Sequence, residues 1–118
     1  MILDSSIKLE AVLDGAVTAN QPFSHVVFVE YNAQSQVTRP GMTRIALNSA
    51  SDVTIAASPT RNDIREVTYI SIYNKDTANV GLTVKTDDGT TEGILIKVTL
   101  LPTETLTWSL SRGWVVAR

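Results

Sequence analysis

The chain has 118 residues, 43% of them hydrophobic and 19% charged, and a net charge of −2. That balance suits one domain with its own core, argues against a disordered tail, and leaves no basic excess to attract nucleic acid. The absence of cysteine excludes disulfides and thiolate-bound metals but does not fix a compartment.

The first ten residues, MILDSSIKLE, are mixed and acidic and do not read as a signal peptide. Apolar runs are too short to span a bilayer, so no membrane partner is expected. Ile7, Leu9, Ala11 and Leu13 alternate with Lys8, Glu10, Val12 and Asp14. A short helix fits the same residues, but Asp14-Gly15 punctuates the segment early and favours a strand. Residues 1–14 then form either an edge strand or an arm reaching a neighbouring subunit.

His25 to Tyr31 (HVVFVEY) is apolar at nearly every position. Such a run predicts a strand buried on both faces, or one with a face in the core and a face in a subunit contact. Asn32 to Gln36 is polar, and Pro40-Gly41 reads as a turn pair. Met42 to Leu47 and Val53 to Ala57 are short strands, with a loop from Ser58 to Asp63.

From Val67 onward the alternation is clearest. Thr68, Ile70 and Ile72 define one face, and Val67, Tyr69 and Ser71 the other. Asn74 to Asn79 should reverse the chain. Leu82 and Val84 alternate with Thr83 and Lys85 before Asp88-Gly89, which predicts a two-residue hairpin turn. Ile94, Ile96, Val98 and Leu100 are expected to share a face, and Pro102 to end the strand. Leu106, Trp108 and Leu110 form the next inward set, Ser111 to Gly113 a turn, and Trp114 to Ala117 a closing strand. The whole chain, 1–118, reads as one all-β domain, an antiparallel β-sandwich of jelly-roll type with about eight or nine short strands.

A search for chemistry along the chain assigns no catalytic, cofactor-binding or metal residue. His25 is the one histidine and reads as structural. There is no Gly-x-Ser-x-Gly elbow and no phosphate-binding glycine loop. Asp87, Asp88 and Glu92, with Asp76, have the oxygen donors that calcium takes, but the spacing is not that of an EF-hand and the hairpin already explains Asp-Gly. Glu66 and Glu104 show no pairing of the glycosidase kind. Trp108 and Trp114 read as a cross-strand pair; with Tyr31, Tyr69 and Tyr73 they supply the alternative of a sugar-stacking surface. The arginines sit at strand ends and loops, either as solvated rims or as interface anchors.

Three blocks carry a resemblance. They are IKLEAVLDGAVTANQ (Ile7 to Gln21), YISIYNKDTANVGLTVKTDDGTTEGILIKVTL (Tyr69 to Leu100) and LPTETLTWSLSRGWVVAR (Leu101 to Arg118). The second centres on Ile72-Tyr73-Asn74 and Asp76-Thr77. The third has the pattern Leu-Pro-x-Glu-x-Leu with Gly-Trp near the end, and Thr103 where a turn glycine is common. In these blocks the chain resembles small structural proteins of tailed-bacteriophage virions. The resemblance implies a non-enzymatic β-sandwich located in the virion and assembled in the host cytoplasm. It implies foremost a capsid decoration, or cement, protein, and otherwise a tail, neck or fibre-adaptor protein. The expected partners are the major capsid protein or another virion protein, and further copies of the chain as a dimer or trimer. The expected contact segments are Met1 to Asp14, Gln34 to Met42 and Pro59 to Arg65, by packing and strand addition.

Overall fold

A computed structural model describes residues 1–34 and 36–118. The described residues form ten strands and no helix: β1 Ile2–Leu3, β2 Lys8–Leu13, β3 Phe23–Tyr31, β4 Val37–Ala46, β5 Val53–Ala56, β6 Ile64–Tyr73, β7 Val80–Asp87, β8 Glu92–Leu100, β9 Thr105–Ser109 and β10 Gly113–Ala117. They build two antiparallel sheets packed together as a β-sandwich. The first runs β10-β9-β6-β3-β4, with β1 also paired to β6, and the second β5-β2-β7-β8. The hairpins β3-β4, β7-β8 and β9-β10 stay within a sheet, and the other connections cross between sheets. These orders establish the sandwich; they do not by themselves define a jelly roll.

The core lies between the sheets. Leu9, Ala11 and Leu13 of β2 meet Val26 of β3 and Ile70 and Ile72 of β6, all essentially inaccessible. Each such Val, Leu or Ile removed from water contributes about 1.5–3 kcal/mol, which is what drives the two apolar faces together. β2 lies between β5 and β7, so Lys8–Leu13 is an inner strand rather than an edge or arm. The N-terminus is also engaged: Leu3 is buried, and Met1 exchanges backbone hydrogen bonds with Val67.

Two bulges change which residues look inward. Opposite β3, Val27 pairs with Tyr69 and Phe28 with Val67, so Thr68 is the extra residue. Val67 therefore faces the core with Ile70 and Ile72, not the opposite side with Tyr69. On β8, Lys85 pairs with Ile94 and Val84 with Ile96, so Leu95 is the extra residue. Ile94 is thereby turned out and is 59% exposed, while Ile96 and Val98 pack against the core.

Three turns also differ from expectation. Pro40 and Gly41 lie inside β4, opposite Val29 and Phe28. An edge strand tolerates the missing proline donor. A Cβ on Gly41 would come within 2.5 Å of the Phe28 ring, so the glycine makes room for the aromatic beside it. The Asp88-Gly89 hairpin spans four residues, since Asp87 pairs with Glu92 and the Asp88 N–H donates to the Thr91 carbonyl. Leu110 belongs to the β9-β10 turn and is exposed, whereas Leu106 is buried and Trp108 packs on the core.

The three blocks that carry the sequence resemblance meet in one hydrogen-bonded knot at an end of the sandwich. Asp76 accepts the backbone N–H groups of Thr18, Ala19 and Asn20 at 2.8–3.1 Å. Asn74 donates to the carbonyls of Ala78 and Leu100 and accepts from the Asp76 N–H. Glu104 accepts from the Leu101 N–H at 2.7 Å, and the Thr103 N–H donates to the Asn74 carbonyl. Thr103 takes a φ of 71°, the left-handed conformation for which glycine is suited. The motif residues are thus structural: they fasten the β6-β7 and β8-β9 crossings to the segment before β3.

Candidate interaction surface

Alternation, corrected for the two bulges, gives each sheet an outer face whose composition can be read from register. On the first sheet, Val27 and Val29 of β3 stand opposite Met42 and Pro40 of β4. Val27 also stands opposite Tyr69 of β6, and Tyr31 opposite Ile64 and Val37. Phe23 and Tyr73 extend the row. Met42, Val37, Ile64, Tyr69 and Tyr73 are each exposed by more than a third. A sheet face this apolar and this exposed is the composition of a protein contact. Among the described residues β4 also lies at the end of its sheet, so its ten residues present a free backbone edge beside that face. The alternation of β3 therefore resolves as one core face and one outer apolar face.

Parts of the three expected contact segments lie near one another at this end of the first sheet, whereas Lys8–Leu13 of the first segment lies inside the second sheet. Thr38 and Arg39 from one loop and strand, and Thr60, Arg61 and Asp63 from another, line a cleft of about 310 Å³ with Glu30. Ile2 and Leu3 pair with Glu66 and Arg65 on the adjoining strand. Ser35, within the expected segment Gln34 to Met42, lies outside the described residues.

Behind the cleft is a buried ion cluster that sequence reading missed. The Arg65 guanidinium donates to Glu30 through two nitrogens and to the Ala57 carbonyl at 2.9 Å. The same guanidinium stacks 4.0 Å above the Phe28 ring. Arg39 donates to the other Glu30 oxygen at 3.1 Å. The hydrogen bond from Arg65 holds the Glu30 carboxyl below its usual range, against the opposing pull of burial. The buried Glu30–Arg65 pair links β3 to β6 at this end of the core, and Arg39, largely exposed, joins it from β4.

Other candidates disperse. The Arg44 Nε donates to His25 Nε2 at 3.3 Å, occupying the lone pair a general base would use, and Phe23 packs on the imidazole. Trp108 and Trp114 are direct cross-strand partners, half-buried, with rings 6.3 Å apart and tilted by 52°, so they form no flat stacking platform. Glu104 is committed to the knot and to Arg118. Asp88 caps the hairpin loop by accepting the N–H groups of Thr90 and Thr91. Hydrogen bonds from Thr18 and its neighbours pull Asp76 down from 3.8 to about 2. Of the four acidic residues weighed for calcium, only Asp87 and Glu92 come together, and Glu10 joins them.

The outer face of the second sheet is charged by contrast. Lys85 sits between Glu92 at 2.6 Å and Asp52 at 3.0 Å, and Glu92 chiefly holds its ammonium well above the usual lysine value. Comparison of the chain with family models, characterised proteins and solved structures found no match. The comparisons therefore add nothing to the resemblance to virion proteins.

Proposed function

We propose that this chain is a non-enzymatic structural protein that assembles on a larger protein lattice through the outer face of the β3-β4-β6 sheet. The observation that carries the reading is the outward apolar row of half-buried Val27 and Val29 with exposed Met42 and Tyr69, bordered by the free edge of β4. Apolar side chains at the centre supply packing, Arg44 beside His25 supplies a polar margin, and an unpaired edge supplies backbone hydrogen bonds. This is the equipment of a clamp rather than of a catalyst. Together with the resemblance in the three sequence blocks, it supports a capsid decoration protein that binds the major capsid protein as a dimer or trimer in the virion.

The test is to mix the purified protein with expanded tailed-phage capsids that lack a decoration protein and image them by cryo-electron microscopy. The proposal expects regular density at local symmetry axes, with the β3-β4-β6 face against the shell. Density confined to the tail vertex would move the assignment to a tail, neck or fibre-adaptor protein, and bare particles would remove support for either.

A further inference from the structure

On the other outer face, one buried carboxylate oxygen is left over. Among the described residues, Glu10 Oε1 is a buried side-chain oxygen without a hydrogen-bond partner. The Glu10 side chain is only 5% exposed, and register places the residue opposite Lys85 and Thr54. A buried carboxylate oxygen is destabilising unless a donor or cation reaches it. One oxygen each from Glu10, Asp87 and Glu92 lie within 4.8 Å of one another. That spacing suits oxygens around a cation that binds them at about 2.3–2.6 Å.

The neighbouring lysines do not complete the cluster. Lys8 is 3.2 Å from Glu10 Oε2, leaving Oε1 unmatched, and Lys85 is taken by Glu92 Oε2 and Asp52. Four carboxylates (Glu10, Asp52, Asp87, Glu92) against two ammonium groups leave two negative charges. Asp87 is already oriented, because its Oδ1 accepts the Gly89 N–H at 2.8 Å. Glu92, with its side chain 47% exposed, leaves a path for the ion and for its waters.

We propose that Glu10, Asp87 and Glu92 bind a calcium ion that clasps β2, β7 and β8 on the outer face of the second sheet. Three carboxylates with solvent access fit calcium. Zinc prefers nitrogen and sulfur donors, and magnesium usually takes one or two carboxylates and keeps most of its waters.

Calcium titration of the full chain, by calorimetry and by thermal midpoint at constant ionic strength, tests the site. The expected result is one-site binding with a Kd on the order of 10⁻⁴–10⁻³ M, and a midpoint that rises with calcium concentration. Glu10→Gln should weaken binding roughly tenfold or more, and Asp87→Asn, should the first variant misfold, should do the same. Asp88→Asn removes the same charge from the same hairpin without removing a ligand and should leave the affinity unchanged. Absence of binding by the unaltered protein would overturn the proposal. Equal weakening by Asp88→Asn and Glu10→Gln would overturn it too, by reducing the effect to general electrostatics.

Discussion

The two outer faces of this sandwich are built by the same alternation and end with opposite chemistry. On the β3-β4-β6 face the outward positions include Val27, Val29, Met42, Tyr69 and Tyr73, with His25, Arg44 and Glu66 as polar members. On the β2-β7-β8 face they are mostly charged, Lys8, Glu10, Lys85, Asp87, Glu92 and Lys97, with Ile94 an apolar exception. Charge on an exposed sheet keeps it in water and discourages edge pairing, whereas apolar residues on a free edge invite another surface. The inward residues of both sheets serve the same core. Outward composition is therefore where the two faces differ, one largely apolar and the other largely charged.

Neighbouring residues on β6 test that division most sharply. Ile70→Ala removes a fully buried side chain and should cost about 2–5 kcal/mol in urea unfolding. Tyr69→Ala, one residue away on the outer face, should change stability by about 0.5 kcal/mol or less. Equal losses at both positions would mean that the outer face is itself part of the core.

A smaller effect is expected from Gly41→Ala. The new Cβ meets a Phe28 ring held under Arg65, so about 1–3 kcal/mol of overpacking strain should appear, with faster amide exchange along β4. A neutral result would show that Phe28 can move and that the core side of the β3-β4 pair is less rigid than its packing suggests.

The contribution of Asp76 is fully present and constant near neutral pH, so the pH profile itself changes only in acid. Its folded value of about 2 lies below its ordinary 3.8. Stability from this carboxylate is therefore fully present above the ordinary value and is lost as pH falls through the folded one. Thermal midpoints should drop between about pH 4 and pH 2, and Asp76→Asn should flatten that drop while lowering the midpoint at pH 7. A wild-type and variant profile of the same shape would show that the knot does not depend on the ionised carboxylate.

Much of the sandwich was legible because period-two alternation survives in β2, β3 and β7 and because polar runs separate the strands. The apolar outer face was legible in part: HVVFVEY has too few polar positions for a strand with one solvated side. The misreadings have common causes. Thr68 and Leu95 are bulge residues, and a bulge inverts the facing of all that follows without a distinctive residue to announce it. Pro40-Gly41 has turn chemistry, yet the strand edge absorbs the proline and Phe28 needs the glycine. Glu10 meets Asp87 and Glu92, and Glu30 meets Arg65, through sheet register between distant segments, which local spacing does not encode.

The most direct test of the contact face is capsid co-sedimentation with one charge placed on each side of the molecule. Met42→Asp alters the apolar face and Lys97→Asp the charged one, each variant first verified as folded by circular dichroism. The account predicts that Met42→Asp abolishes pelleting with expanded capsids while Lys97→Asp pellets like the unaltered protein. Retention of Met42→Asp on the particles, or loss of Lys97→Asp from them, would contradict it.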